Sequence, residues 1–124
     1  MRKQYHFRPS KKGLLAWDVD RLVALSKELP RHQVPLSEIK EIDEPYWFDD
    51  DKKPTCRMIL DHFRLINEVD IQYPIILCSK GRIMDGMHRV ARAFLEGREF
   101  VEAVRFDHDP APDYVGKRPE ALPY

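Results

Sequence analysis

The sequence predicts an α/β (α+β) fold, a small mixed β-sheet flanked by helices. Three observations carry this. Pro74-Ile75-Ile76-Leu77-Cys78 is a short unbroken apolar run, as expected of a central strand covered on both faces. After Asp85-Gly86, residues Met87, Val90, Ala91, Phe94 and Leu95 fall at i, i+3, i+4, i+7 and i+8, one apolar stripe of a helix. The segments read in the order helix, strand, loop, helix, hairpin, helix, strand, which suits a mixed sheet with helices packed on it.

Each element has its own signal. Residues 1–16 are basic and without period, including Arg2, Lys3, Arg8, Lys11 and Lys12. They read as a strand, an arm or a partner-binding segment, with a solubilising arm preferred. Asp18 is the expected N-cap of a helix carrying Val19, Leu22, Val23, Ser26 and Leu29, which Pro30 stops. Residues 33–39 alternate as a strand. Residues 40–54 are acidic and aromatic with two prolines, and read as a loop. Thr55 caps a helix to about residue 69, with Met58, Ile59, Phe63, Leu65 and Ile66 as its apolar positions. Lys80-Gly81 makes a tight turn into a short strand at Arg82-Ile83-Met84. Gly97 ends the last helix, and residues 99–106 form a closing strand. The tail from Asp107 carries four prolines and is expected to wrap the surface.

The 124 residues suit a single domain, with a core at about 32–116, an N-terminal extension 1–31 and a Pro-rich tail 107–124. Twenty-one basic and 21 acidic residues cancel, so bulk charge favours neither nucleic acid nor anionic lipid as partner. No apolar run is long enough to span a bilayer, and the N-terminus lacks a hydrophobic signal core, so a cytoplasmic location is expected. Cys56 and Cys78 read as free thiols. Asp107-His108-Asp109 reads as a solvated turn rather than a metal site.

The informative unit is Asp85-Gly86-Met87-His88-Arg89, a strand–turn–helix junction. The first turn of a helix has backbone N–H groups without partners at the positive end of the dipole, and both favour an anion. Gly86 lets a ligand approach the backbone or allows positive φ. His88 and Arg89 are expected to point away from the core. Arg89 can grip phosphate with two donors, and His88 is expected to titrate near neutrality. The competing reading is an ordinary turn with Asp85 as N-cap and a solvated basic face.

Three segments together, VPLSEI, PIILCSKGRIMDGMHRVARAFLEGREFVEAVRF and DYVG, resemble the ParB/sulfiredoxin superfamily over about residues 32–116. That resemblance implies a nucleotide site for ATP or ADP (CTP in some members), with Mg²⁺. Gly86, His88 and Arg89 would hold phosphates, with Asp85 and Met87 completing the turn and Thr55 and Arg57 as further contacts from the preceding helix. It also implies a carboxylate base soon after the first strand, where the sequence offers Glu41, Asp43 and Glu44, with Glu41 preferred and then Glu44; the competing reading is that these carboxylates, with residues 49–51, form a solvated loop. Met87 stands where sulfiredoxins have the attacking cysteine, and a thioether is no thiolate nucleophile, so sulfiredoxin chemistry is not expected. The Asp-Gly-x-His-Arg form is closest to a branch containing a free-serine kinase and ParB-like nucleases or ATPases. The expectation is therefore phosphoryl transfer to a small acceptor, or hydrolysis. Its rivals are a nucleotide-responsive or DNA-associated module without turnover, and a nuclease. Tyr46, Trp47 and Phe48 are expected to staple the acidic loop to the core rather than stack on a base, and His62 to serve packing.

Overall fold

The N-terminal segment is a hairpin in the computed structural model, which describes residues 3–48, 51 and 53–124. Strand β1 (Tyr5–Arg8) pairs antiparallel with β2 (Leu15–Asp18). Arg8 is therefore no solubilising arm residue. Its Nη1 lies 3.0 Å from Asp109, and its guanidinium sits 4.8 Å from the centre of the Trp17 ring. Lys3 likewise pairs with Asp18 at 2.8 Å. Arg2, Asp49 and Asp50 lie outside the described residues.

Asp18 caps helix α1 (Val19–Ser26) by accepting from Asp20 N–H at 2.9 Å. The helix ends before Leu29, which closes the turn with a bond from its N–H to Ser26. The strand expected at 33–39 is shorter. β3 (His32–Pro35) stops at the proline, and two 3-10 turns, Leu36–Glu38 and Lys40–Asp43, follow. Pro35 has no N–H to continue the ladder, and the turns bring Ile39 and Glu41 inward instead. Thr55 caps α2 (Cys56–Glu68), accepting from Met58 N–H at 3.2 Å.

The apolar run becomes β4 (Ile75–Leu77), buried throughout. It pairs antiparallel with β5 (Ile83–Asp85), and parallel with β6 (Phe100–Arg105) after the crossover through α3 (Met87–Leu95). The four-stranded order is β3-β6-β4-β5. β7 (Tyr114–Val115), in the tail, adds to β2 and completes a second, three-stranded antiparallel sheet with β1. The tail thus does wrap the surface, and Leu122 near its end is buried.

Strand alternation sorts the core into two layers. Ile75, Leu77, Ile83, Val101 and Ala103 pack with Met87 and Val90 of α3. Ile76, Cys78, Met84, Val104 and Phe106 pack with Trp17 and Leu22 from the N-terminal layer. Each fully buried aliphatic side chain contributes roughly 1.5–3 kcal/mol. The four-stranded sheet is the middle layer, which is why β4 is apolar on both faces.

Two helical stripes depart from expectation. In α2 only Ile66 is buried, while Ile59, Phe63 and Leu65 are exposed. In α3 Ala93 is buried, and Phe94 and Leu95 are exposed. α2 packs on α3 rather than on the sheet, so much of its apolar arc is left uncovered. Cys78 is buried and Cys56 is exposed. No helix among the described residues is long and apolar enough to cross a membrane.

Candidate functional site

β5 delivers the chain to Gly86, which adopts φ 112° and is the N-cap of α3. Gly86 has no side chain to cap the helix, and no side chain among the described residues accepts from the N–H groups of Met87, His88 or Arg89. Asp85 is therefore not the N-cap. Its carboxylate instead takes Arg89 Nη2 at 3.0 Å, one turn back along the chain.

This uncapped helix start opens into a cleft of about 950 Å³. That volume lies within the range of roughly 300–1,000 Å³ typical of small-molecule sites. Asp85, Gly86, Met87 and His88 line it together with Glu41, Tyr46, Trp47 and the residues of β1. The β1 hairpin is the part of the site that the sequence did not disclose.

His88 does not titrate near neutrality. Its Nε2 lies 2.9 Å from His62 Nδ1, so one imidazole donates to the other. The Trp47 indole stacks over both rings, at 4.4 Å from His62 and 4.7 Å from His88. Burial, then His62 and Arg89, pushes the His88 pKa down to about 4. Burial lowers that of His62 as well. His88 is a neutral member of an aromatic stack, and Trp47 staples the loop onto α2 and α3.

The sign of the resulting pH dependence follows. An unfolded histidine titrates near 6.5. Between that value and the lowered folded value, the unfolded chain binds more protons, so stability rises with pH. The stack is fully stabilising above about pH 6.5 and loses that contribution as pH falls toward 4. Thermal melts followed by circular dichroism should show Tm falling on the order of 5 °C between pH 7 and pH 5.

Glu41 is only 2% exposed. Its Oε2 accepts from Ile83 N–H at 2.6 Å and lies 3.6 Å from Arg82 Nε, while Oε1 is buried without a partner among the described residues. Glu41 lines the cleft and also a second cavity of about 300 Å³ beside β3. Glu44 is different. Both its carboxylate oxygens accept from Arg82, at 2.9 and 2.6 Å, and it lines neither cavity. Tyr46 projects toward the carboxylates. Burial, Glu41 and Asp85 push its pKa up to about 12, so its hydroxyl stays protonated.

The remaining expected ligands are not brought together. Thr55 spends its hydroxyl on its own helix, and neither Thr55 nor Arg57 lines the cleft. Arg89 does not line it either, because its guanidinium folds back onto Asp85 and over Gly86. Sequence reasoning missed His6 and took Arg8 for a residue of a solubilising arm, and both line the cleft. Asp109, in the cluster read as a solvated turn, accepts from Ser79 N–H at 2.8 Å and from Arg8.

No family model matches this chain, and no solved structure matches it significantly. A stretch of 57 residues is 39% identical to the transcriptional regulator NovG of Streptomyces niveus. The matched stretch is 44% of this chain and 18% of that relative, so the similarity reaches a minor part of both.

Proposed function

We propose that this chain binds ATP or ADP with Mg²⁺ at the α3 start and transfers or hydrolyses a phosphoryl group. One observation carries the reading: the uncapped, glycine-opened start of α3 faces a nucleotide-sized cleft that also holds the buried, half-paired carboxylate of Glu41. The N–H groups of Met87, His88 and Arg89 are the phosphate donors, with the dipole of α3 behind them. Neutral His88 contributes ring surface rather than charge. Arg89 holds Asp85 in place and reaches phosphate only by leaving it.

Phosphoryl transfer needs positioning and charge stabilisation more than covalent chemistry. Glu41 is the candidate base, because Oε1 has no partner among the described residues and the side chain lies at both cavities. Its place on both cavities suits a nucleotide in the larger and a small acceptor in the smaller. No group of three or more metal-binding side chains exists among the described residues. This fits Mg²⁺ only in its usual phosphate-borne mode, with one carboxylate from the protein, here Asp85. When bound, that ion would neutralise charge developing on the phosphoryl group.

A second reading keeps the nucleotide and drops the turnover. The partial similarity to a protein described as a transcriptional regulator is in keeping with a module associated with DNA. A thermal-shift titration with ATP and ADP, with and without Mg²⁺, combined with a phosphate-release assay, separates the two. The enzyme reading expects a concentration-dependent rise in Tm together with phosphate release. A rise in Tm without release favours the module, and no shift with any nucleotide removes both.

A further inference from the structure

We propose that His6 and Arg8 of β1 hold the base of the bound nucleotide, in the same cleft that the α3 start lines. This rests on the nucleotide reading above and adds to it a second, neutral recognition wall.

The two side chains sit at i, i+2 on one strand, both beside Trp17. The His6 ring centre is 5.5 Å from that of the indole, and the Arg8 guanidinium carbon is 4.8 Å from it. Both line the cleft. Each carries a buried polar atom without a partner among the described residues, His6 Nε2 and Arg8 Nη2. Buried polar atoms are nearly always paired. Two such atoms, on neighbouring side chains that line the same cleft, are the groups for which a ligand would supply the missing partner.

The charge at this wall selects the kind of ligand. Asp109 stands 3.0 Å from Arg8 Nη1 and balances the guanidinium. Burial and the neighbouring Arg8 push the His6 pKa down to about 4, so the imidazole is neutral near pH 7. The wall therefore offers directed hydrogen bonds without net charge. That is unsuited to phosphate, which the α3 start serves better. It suits a planar heterocycle that accepts from Arg8 Nη2 through a ring nitrogen or carbonyl. A neutral imidazole can donate to or accept from the same edge. Trp17 holds both side chains in place by packing, so little side-chain freedom is lost on binding.

The test compares ATP with inorganic tripolyphosphate, both with Mg²⁺, by isothermal titration calorimetry on the full chain. His6→Phe keeps the ring against Trp17 and removes Nε2. It is expected to weaken ATP binding about tenfold, the loss of one neutral hydrogen bond, and to leave tripolyphosphate binding unchanged. His6→Gln, which restores a polar atom, should recover part of the ATP affinity. Tm of His6→Phe should be equal to or above that of the parent, because an unsatisfied buried atom has been removed. If the parent binds ATP and His6→Phe binds it equally well, the base assignment is wrong while the phosphate reading stands. Weakened tripolyphosphate binding in His6→Phe also overturns it, because the effect then lies elsewhere than the base. If the parent binds neither compound, both proposals fall together.

Discussion

Gly86→Ala is expected to destabilise the protein by about 2–5 kcal/mol, with Tm lowered by on the order of 10 °C. Two costs coincide at this residue. Its φ of 112° lies where L side chains rarely go. A Cβ there would also stand 2.7 Å from Ile75 Cγ2 and 2.9 Å from Arg89 Nη2. Ile75 is fully buried in β4 and cannot retreat without disturbing the sheet. Urea denaturation followed by tryptophan fluorescence measures the change. A loss below about 1 kcal/mol would mean that the turn relaxes easily and that the α3 start is not rigidly built.

Glu41→Gln is expected to lower phosphate release by a factor on the order of 10²–10⁴ while nucleotide binding persists. The substitution is isosteric, and the amide oxygen can still accept from Ile83 N–H. Arg82 keeps its two-pronged contact with Glu44, so no buried cation is stranded. The proton acceptor alone is lost. Glu44→Gln is the control, with turnover near that of the parent, because its carboxylate faces Arg82 and neither cavity. Turnover undiminished in Glu41→Gln removes the base assignment. Turnover lost equally in both variants would point to the Arg82 cluster as a structural unit.

The elements that were legible in the sequence are those decided by local pattern. β4 could be read because both of its faces are covered, which leaves an unbroken apolar run. α3 could be read because Gly86 and the Met87/Val90 spacing mark its start and its buried side. Asp18 and Thr55 were legible as caps because a cap is a contact over two or three residues. What was hidden depends on distant partners. β1 is held by Trp17, by Asp109 and by the tail, through contacts such as Trp17 Nε1 to the Pro110 carbonyl at 2.7 Å. None of these leaves a period in residues 1–16.

The site divides in the same way. Gly86 is a local requirement and was visible. The neutral state of His88 was not, since its partner His62 is 26 residues away and its roof, Trp47, comes from another loop. The Arg89–Asp85 pair joins the end of β5 to the first turn of α3 across the Gly86 turn, and the phosphate reading of Arg89 passed over it. The exposed faces of α2 show the limit of periodicity: the pattern says which side chains share a face, and the packing partner decides how much of that face is covered.

The central claim is that the first turn of α3 receives an anion on its backbone. Amide chemical shifts of Met87, His88 and Arg89, followed by two-dimensional ¹H–¹⁵N NMR during titration with Mg²⁺–ADP, report on it directly. These three amides are expected to move most and to saturate together. Amides at this turn that stay still while nucleotide is in excess, or larger movements confined to another part of the chain, would contradict the account.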